Sequence, residues 1–127
     1  MSSGEIQYTL ARGKPGLESA IRGAAASKTS SRLMCFPYAG AGASVFADWT
    51  RYFPAWMELL ALTLPGREAR FADEPVESVA AASEDVGRRL TPLLDRPFTF
   101  LGHSLGGLVA FETARWLRRH KLRSPNY

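Results

Sequence analysis

The residues best suited to chemistry lie near the end of the chain: Gly102-His103-Ser104-Leu105-Gly106, a Gly-x-Ser-x-Gly pattern. A serine flanked in this way, after an apolar stretch and before an amphipathic one, reads as a nucleophile elbow rather than an ordinary helix cap. The turn must strain the serine backbone so that its oxygen projects from a sheet edge. Side chains two residues before or after it would collide, and Gly102 and Gly106 have none. Ser104 also opens a helical pattern, where free N–H groups and the helix dipole favour developing negative charge. The Leu105 N–H is expected to donate to a tetrahedral oxyanion, worth roughly 3–4 kcal/mol in comparable sites.

A serine hydroxyl is a weak nucleophile until a base takes its proton. With this elbow the acid and the histidine follow the serine in the chain, yet only 21 residues follow Gly106. His103 adjoins Ser104, but neighbouring side chains in the turn point apart, so local packing or hydrogen bonding is its expected role. His120 lies sixteen residues further along a helix, roughly 24 Å away. Asp48, Asp73, Asp85 and Asp95 all precede the serine. No triad assembles from these residues, and the chain reads as the N-terminal half of a hydrolase, cut after the elbow helix.

The elements that must position the serine can be traced by periodicity and punctuation. Residues 1–31 read as a mobile leader with at most a helical turn near 17–21. Residues 32–127 read as the folded unit. An apolar run at 33–36 stopped by Pro37 suits a buried strand, followed by a small-residue loop, Tyr38-Ala39-Gly40-Ala41-Gly42-Ala43. A helix is expected from Ser44, with Val45, Phe46, Trp49, Tyr52 and Phe53 at spacings of three and four. Residues 58–64 predict a second strand, closed by Pro65-Gly66. A polar loop then leads to a helix capped by Ser78, with Val79, Ala82, Val86, Leu90 and Leu93-Leu94 on its apolar face. Residues 98–101 predict the third strand, and residues 105–119 the last helix, burying some or all of Leu108, Val109, Phe111, Ala114 and Leu117. Gly107 is expected to ease the packing of that helix start. This alternation implies a parallel sheet with helices on both faces, and a Gly-x-Ser-x-Gly elbow after a strand of such a sheet is the context expected of an α/β-hydrolase. Three strands alone would leave a sheet edge open to pairing.

Composition excludes several classes. The net charge of +4 is concentrated early: residues 1–32 hold five Lys/Arg against two acids, residues 33–127 eleven against ten. Arg115, Arg118, Arg119, Lys121 and Arg123 bunch at the end of the last helix, where cations offset its dipole. No basic stripe interleaved with aromatics points to nucleic acid. No apolar stretch approaches the roughly 20 residues of a membrane span, and the N-terminus lacks a secretory core. The one cysteine, Cys35, can form no internal disulfide, which agrees with a cytoplasmic protein. No metal or organic cofactor is implied.

Four ordered segments carry a family resemblance: Phe36-Pro37-Tyr38-Ala39-Gly40-Ala41-Gly42, Leu64-Pro65-Gly66-Arg67-Glu68 with Arg70-Phe71, Arg96-Pro97-Phe98, and Gly102-His103-Ser104-Leu105-Gly106-Gly107. Together they resemble the type II thioesterases of polyketide and nonribosomal peptide synthesis, with a similar pattern in the animal medium-chain fatty acyl thioesterases. The resemblance covers residues 32–127. It implies hydrolysis of acyl groups from the phosphopantetheine thiol of acyl or peptidyl carrier proteins. It also implies that the backbone N–H of Ala39, beside Tyr38, forms half of the oxyanion hole. Gly66-Arg67-Glu68 is a mark of the family with no chemistry derivable from the residues; a structural Arg–Glu pairing is expected of it, with a carrier contact as the alternative. Leu105 and Gly107 stand where Met and Ala are common. The same scaffold also serves esterases and lipases, and a chain without acid and base is alternatively a non-catalytic fragment or interaction module.

Overall fold

The structure, a computed structural model, describes residues 7–10, 17–21, 30–46, 48–54 and 56–127. Among the described residues five strands form one sheet: β1 (Gln7–Leu10), β2 (Leu17–Ile21), β3 (Ser31–Phe36), β4 (Met57–Leu62) and β5 (Phe98–Gly102), in the spatial order β1-β2-β4-β3-β5. The apolar runs predicted as strands become its parallel part, β4-β3-β5, with Leu33 of β3 opposite Leu59 on one side and Thr99 on the other. Two helices follow, α1 (Val79–Leu90) and α2 (Leu105–Arg119).

Alternation along the strands divides the core. Met34, Phe36, Leu60 and Leu62 face α1 and α2, packing with Val86, Leu90, Val109 and Leu117. Leu33, Cys35, Leu59 and Ala61 point the other way, against Ala43 and Phe46. Both faces are therefore covered, one by α-helices and one by the segment between β3 and β4. That segment departs from expectation, forming two short 3-10 turns, Ala43–Phe46 and Trp49–Tyr52, in place of one helix. Its first N–H groups are taken by side chains from beyond β4. Phe46, at the end of the first turn, and Trp49, at the start of the second, meet edge to face at 5.0 Å between centroids.

The helical turn expected at residues 17–21 is strand β2. It pairs antiparallel with β4, from Leu17 opposite Leu62 to Ala20 opposite Leu59, and β1 pairs antiparallel with β2. The open edge of β4 offers unpaired backbone groups, and pairing with them overrides the weak local preference. On the opposite edge, Asn126 N–H donates to Phe98 O at 2.8 Å and Phe100 N–H donates to Tyr127 O at 2.9 Å. These last residues thus run alongside β5 in the same direction.

α1 starts as predicted, with the Ser78 hydroxyl accepting from Ala81 N–H at 3.0 Å. It ends at Leu90, and Thr91–Leu93 continues as a 3-10 turn with Pro92 in its first turn. α2 has the predicted bounds, and of the expected apolar residues Val109 and Leu117 are buried, joined by Ala110, Thr113 and Trp116. Leu108 and Phe111 are 58% and 62% exposed. The elbow sets this rotation, because only Gly106 can lie against the end of β3, and the residues three, seven and ten positions on follow it inward. Trp116 lies over Gly87 of α1, where a Cβ would stand 2.3 Å from the indole.

Below the sheet, at the start of β3, the buried Arg32 guanidinium donates to Glu58 at 2.7 Å and to Leu93 O at 2.8 Å, and pairs with Asp95. It joins β3, β4 and the end of the α1 segment, far from the carboxyl ends of the strands where Ser104 lies.

Candidate active site

β5 ends at Gly102 and α2 begins at Leu105, so the chain must reverse within two residues. Ser104 accomplishes this at φ 56 and ψ −119, a conformation that non-glycine residues reach only at a cost of roughly 1–3 kcal/mol. The turn is held by His103 N–H donating to Phe36 O (3.1 Å), Gly106 N–H to His103 O (3.0 Å) and Gly107 N–H to Ser104 O (2.8 Å). A Cβ on Gly106 would stand 2.1 Å from Phe36 O, and one on Gly102 2.4 Å from Gly107 Cα. Both glycines are required by backbone contacts. Gly107 is different: a Cβ there would find its nearest neighbour at 3.7 Å, so the glycine is not needed to ease the helix start.

The chain leaves β3 toward β4 on one face and returns to β5 across the other, so the strand order reverses between β3 and β5. Clefts form at such a reversal, outside the carboxyl ends of the strands. The elbow sits there beside the small-residue loop that follows β3. In that loop Ala41 N–H donates to Tyr38 O at 3.1 Å, and Gly40 takes φ 81, as the third position of a type II turn requires. A cavity of about 250 Å³ opens between this loop, the residues after β4 and the starts of both helices. Tyr38, Ala39, Leu64, Val79, Leu105 and Val109 are among its mostly apolar lining. Ala39 and Leu105, the two expected oxyanion donors, thus face one cavity. Neither backbone N–H is engaged in a hydrogen bond among the described residues.

The remaining polar candidates lie elsewhere. The His103 ring stands edge-on to Tyr38, with centroids 5.2 Å apart. His120 is stacked on Trp116 at the far end of α2, its Nδ1 2.8 Å from Trp116 O. Asp48 pairs with Arg51, Asp73 and Asp85 with Arg70, and Asp95 with Arg32. Among the described residues no cluster of three or more His, Cys, Asp or Glu side chains could hold a metal ion. No helix among them is long and apolar enough to cross a membrane.

Three further residues shape the site from a distance, and periodicity did not single them out. The Thr63 hydroxyl, buried after β4, accepts from Ala43 N–H at 2.9 Å. Glu68 accepts from Ser44 N–H at 3.2 Å and from the Ser44 hydroxyl. The expected pairing of Arg67 with Glu68 is therefore replaced: the carboxylate is turned to Ser44, and exposed Arg67 lines the cavity without an ion pair among the described residues. Arg70, buried, donates to Thr63 O at 3.2 Å and grips Asp85 through two bonds of 2.7 and 3.0 Å. Burial works against its charge, but the Asp85 and Asp73 carboxylates outweigh it and hold the guanidinium above its usual value. The Gly66-Arg67-Glu68 mark was the available signal, but its partner lies 24 residues away.

Comparison with known proteins places the chain in a family. The family model described as "Thioesterase domain" matches residues 31–126. The gramicidin S biosynthesis protein GrsT of Aneurinibacillus migulanus is 43% identical over 99 residues, 78% of this chain and 39% of its own length. The human medium-chain S-acyl fatty acid synthase thioesterase is 38% identical over 96 residues, 74% of this chain and 36% of its own. Among solved structures, YbtT, a type II thioesterase from the yersiniabactin NRPS/PKS biosynthetic pathway, superposes with a TM-score of 0.66 at 34% identity. That match covers 80% of this chain and 41% of YbtT. The chain thus spans about two fifths of the length of these relatives, the part that carries the elbow. With its strained serine, its reversal-point cavity and a match over three quarters of its residues, the chain belongs to the thioesterase domain family, with the α/β-hydrolase fold.

Proposed function

We propose that this chain is the nucleophile-bearing part of a type II thioesterase that hydrolyses acyl groups from the phosphopantetheine thiol of carrier proteins. The observation that carries the reading is the backbone of Ser104, held at φ 56 between β5 and α2 beside a cavity lined by Ala39 and Leu105. Ser104 Oγ attacks the thioester carbonyl as a histidine base takes its proton, and the displaced π pair moves onto the oxygen, held by the N–H groups of Ala39 and Leu105. Collapse of that intermediate breaks the C–S bond and expels the thiolate, which needs little acid assistance and carries the proton away as the thiol. Water, deprotonated by the same histidine, then attacks the acyl-enzyme, and the proton passes to Ser104 Oγ as the acid is released. Neither His103 nor His120 suits that role, so the base comes from outside these 127 residues, and the chain by itself is inactive. Residues 32–127 form the thioesterase unit in this reading, working in the cytoplasm on synthases of the polyketide, nonribosomal peptide or fatty acid kind.

The test compares turnover of acyl-carrier thioesters with that of simple aryl esters, by the full-length protein and its Ser104→Ala variant. Preference for the thioester, abolished by Ser104→Ala, supports the proposal. Preference for the aryl ester makes the protein an esterase of the same fold. Retention of hydrolysis by Ser104→Ala, or near-full activity of the isolated chain, refutes the assignment of nucleophile or of the missing base respectively.

A further inference from the structure

Resting on that reading, we infer that Glu68 is a positioning residue, whose carboxylate latches the loop carrying the Ala39 oxyanion donor. The loop of residues 37–42 is secured at its start by the elbow, where Phe36 O accepts from His103 N–H and Gly106 lies against Phe36 and Pro37. Its far end has two consecutive N–H groups, on Ala43 and Ser44, that no helix could satisfy. Thr63 Oγ1 takes the first and the Glu68 carboxylate the second, together with the Ser44 hydroxyl. Between these anchors the Ala39 N–H is left free for a ligand.

Three features show how closely the latch is built. Glu68 holds φ 38, a left-handed conformation unfavourable to a side chain that long, so backbone strain is spent on placing its carboxylate. Its side chain passes directly over Gly42, where a Cβ would stand 2.5 Å from Glu68 Cδ and 2.8 Å from Oε2. And the segment bearing it is anchored by the neighbouring Arg70, buried and tied to Thr63 O, Asp73 and Asp85. Arg70 thus holds the Thr63 backbone while the Thr63 hydroxyl holds Ala43. Oxyanion donors act only when they already stand where charge will develop. Loosening the latch leaves the cavity and the serine in place but lets the Ala39 N–H wander.

This separates a positioning role from a merely structural one. In the full-length protein, Glu68→Gln keeps size and polarity but weakens the bonds to Ser44. It is expected to lower kcat for the thioester about tenfold or more, a part of the 10²–10³-fold loss when an oxyanion donor is removed. KM should stay within about twofold and the melting temperature close to the parent's, since the donor acts on the transition state. An alkyl trifluoromethyl ketone supplies the second readout. Ser104 Oγ bonds to its carbonyl carbon, the π pair moves to oxygen and the serine proton to the base, so binding needs the oxyanion hole. Its affinity should fall in parallel with kcat, while that of the free fatty acid product is unchanged.

Gly42→Ala, which leaves Glu68 intact but places a methyl where the carboxylate lies, should give the same pattern. Ser44→Ala should give a smaller version of it, and supplies the reading if the other two variants do not fold. Unchanged kcat and ketone affinity in the folded variants, or losses that merely track a lower melting temperature, overturn the inference. Ser104→Ala run alongside keeps the two claims apart: if it stays active the nucleophile assignment has failed, and if it alone is inactive only the latch has failed.

Discussion

Gly106 lies so close to the end of β3 that a Cβ on it would stand 2.1 Å from the carbonyl oxygen of Phe36. That contact fixes how α2 sits on the sheet and hence where Ser104 points. Neither partner can yield, because both are backbone and the Phe36 carbonyl already accepts from His103 N–H. Gly106→Ala is expected to cost about 3 kcal/mol or more, the upper end of overpacking penalties. Gly107→Ala, with its nearest neighbour at 3.7 Å, should be neutral or stabilising by up to about 1 kcal/mol through helix propensity. Urea unfolding of the two variants checks the contrast, and equal effects would contradict it.

Gly87 and Trp116 make the equivalent contact between α1 and α2. Alanine is the better helix former by about 1 kcal/mol, yet a Cβ at Gly87 would stand 2.3 Å from the indole. The expected net effect of Gly87→Ala is destabilisation of about 1–2 kcal/mol, since overpacking outweighs propensity. In a Trp116→Leu background the same change should lose its penalty. A double-mutant cycle measures this coupling directly.

Asp95 makes stability depend on acid. Its limited burial would raise its value, but Arg32 first and then Arg96 hold its carboxyl well below the usual carboxylate range. A depressed folded value means that the contribution is present above the unfolded value of about 3.9 and is lost as pH falls through the folded one. Melting temperatures should therefore drop more steeply below about pH 4 for the parent than for Asp95→Asn. The variant should be the less stable of the two at neutral pH. Parallel curves would show that the pair with Arg32 contributes nothing measurable.

Cys35 should be chemically silent while the protein is folded. It lies wholly within the core beside Leu33 and Ala61, and burial pushes its thiol up to about 12. Iodoacetamide at about pH 8 should label it only at the rate of unfolding, and rapidly in strong denaturant, as followed by mass spectrometry. Fast labelling under native conditions would mean that the face between β3 and the 3-10 turns opens readily.

Much of the fold was legible in the residues, and so was the strained turn at the candidate site. The strands β3, β4 and β5 announce themselves as apolar runs ended by Pro37, Pro65 or the elbow glycines. α2 could be bounded from Leu105 to Arg119 because an amphipathic pattern follows a fixed turn. Ser104, Gly102 and Gly106 were evident because an elbow tolerates so few residue types at those spacings. These are local signals, written in the period and sterics of neighbouring positions.

Relations between segments distant in the chain came from packing in three dimensions. The strand at Leu17–Ile21 exists because β4 offers an unpaired edge. The segment after Ser44 forms 3-10 turns because Thr63 and Glu68 take its first N–H groups. Leu108 and Phe111 turn outward because Gly106 meets Phe36. Glu68 stands out in the sequence as part of the Gly66-Arg67-Glu68 mark, but its partner across Gly42 depends on how two loops approach in space. The residues by themselves marked which serine could take the strained turn between β5 and α2, since that rests on sterics within a single turn. The frame around that turn, and the path of the loop that carries Ala39, were decided by packing between elements, because no local pattern encodes the distance between strands.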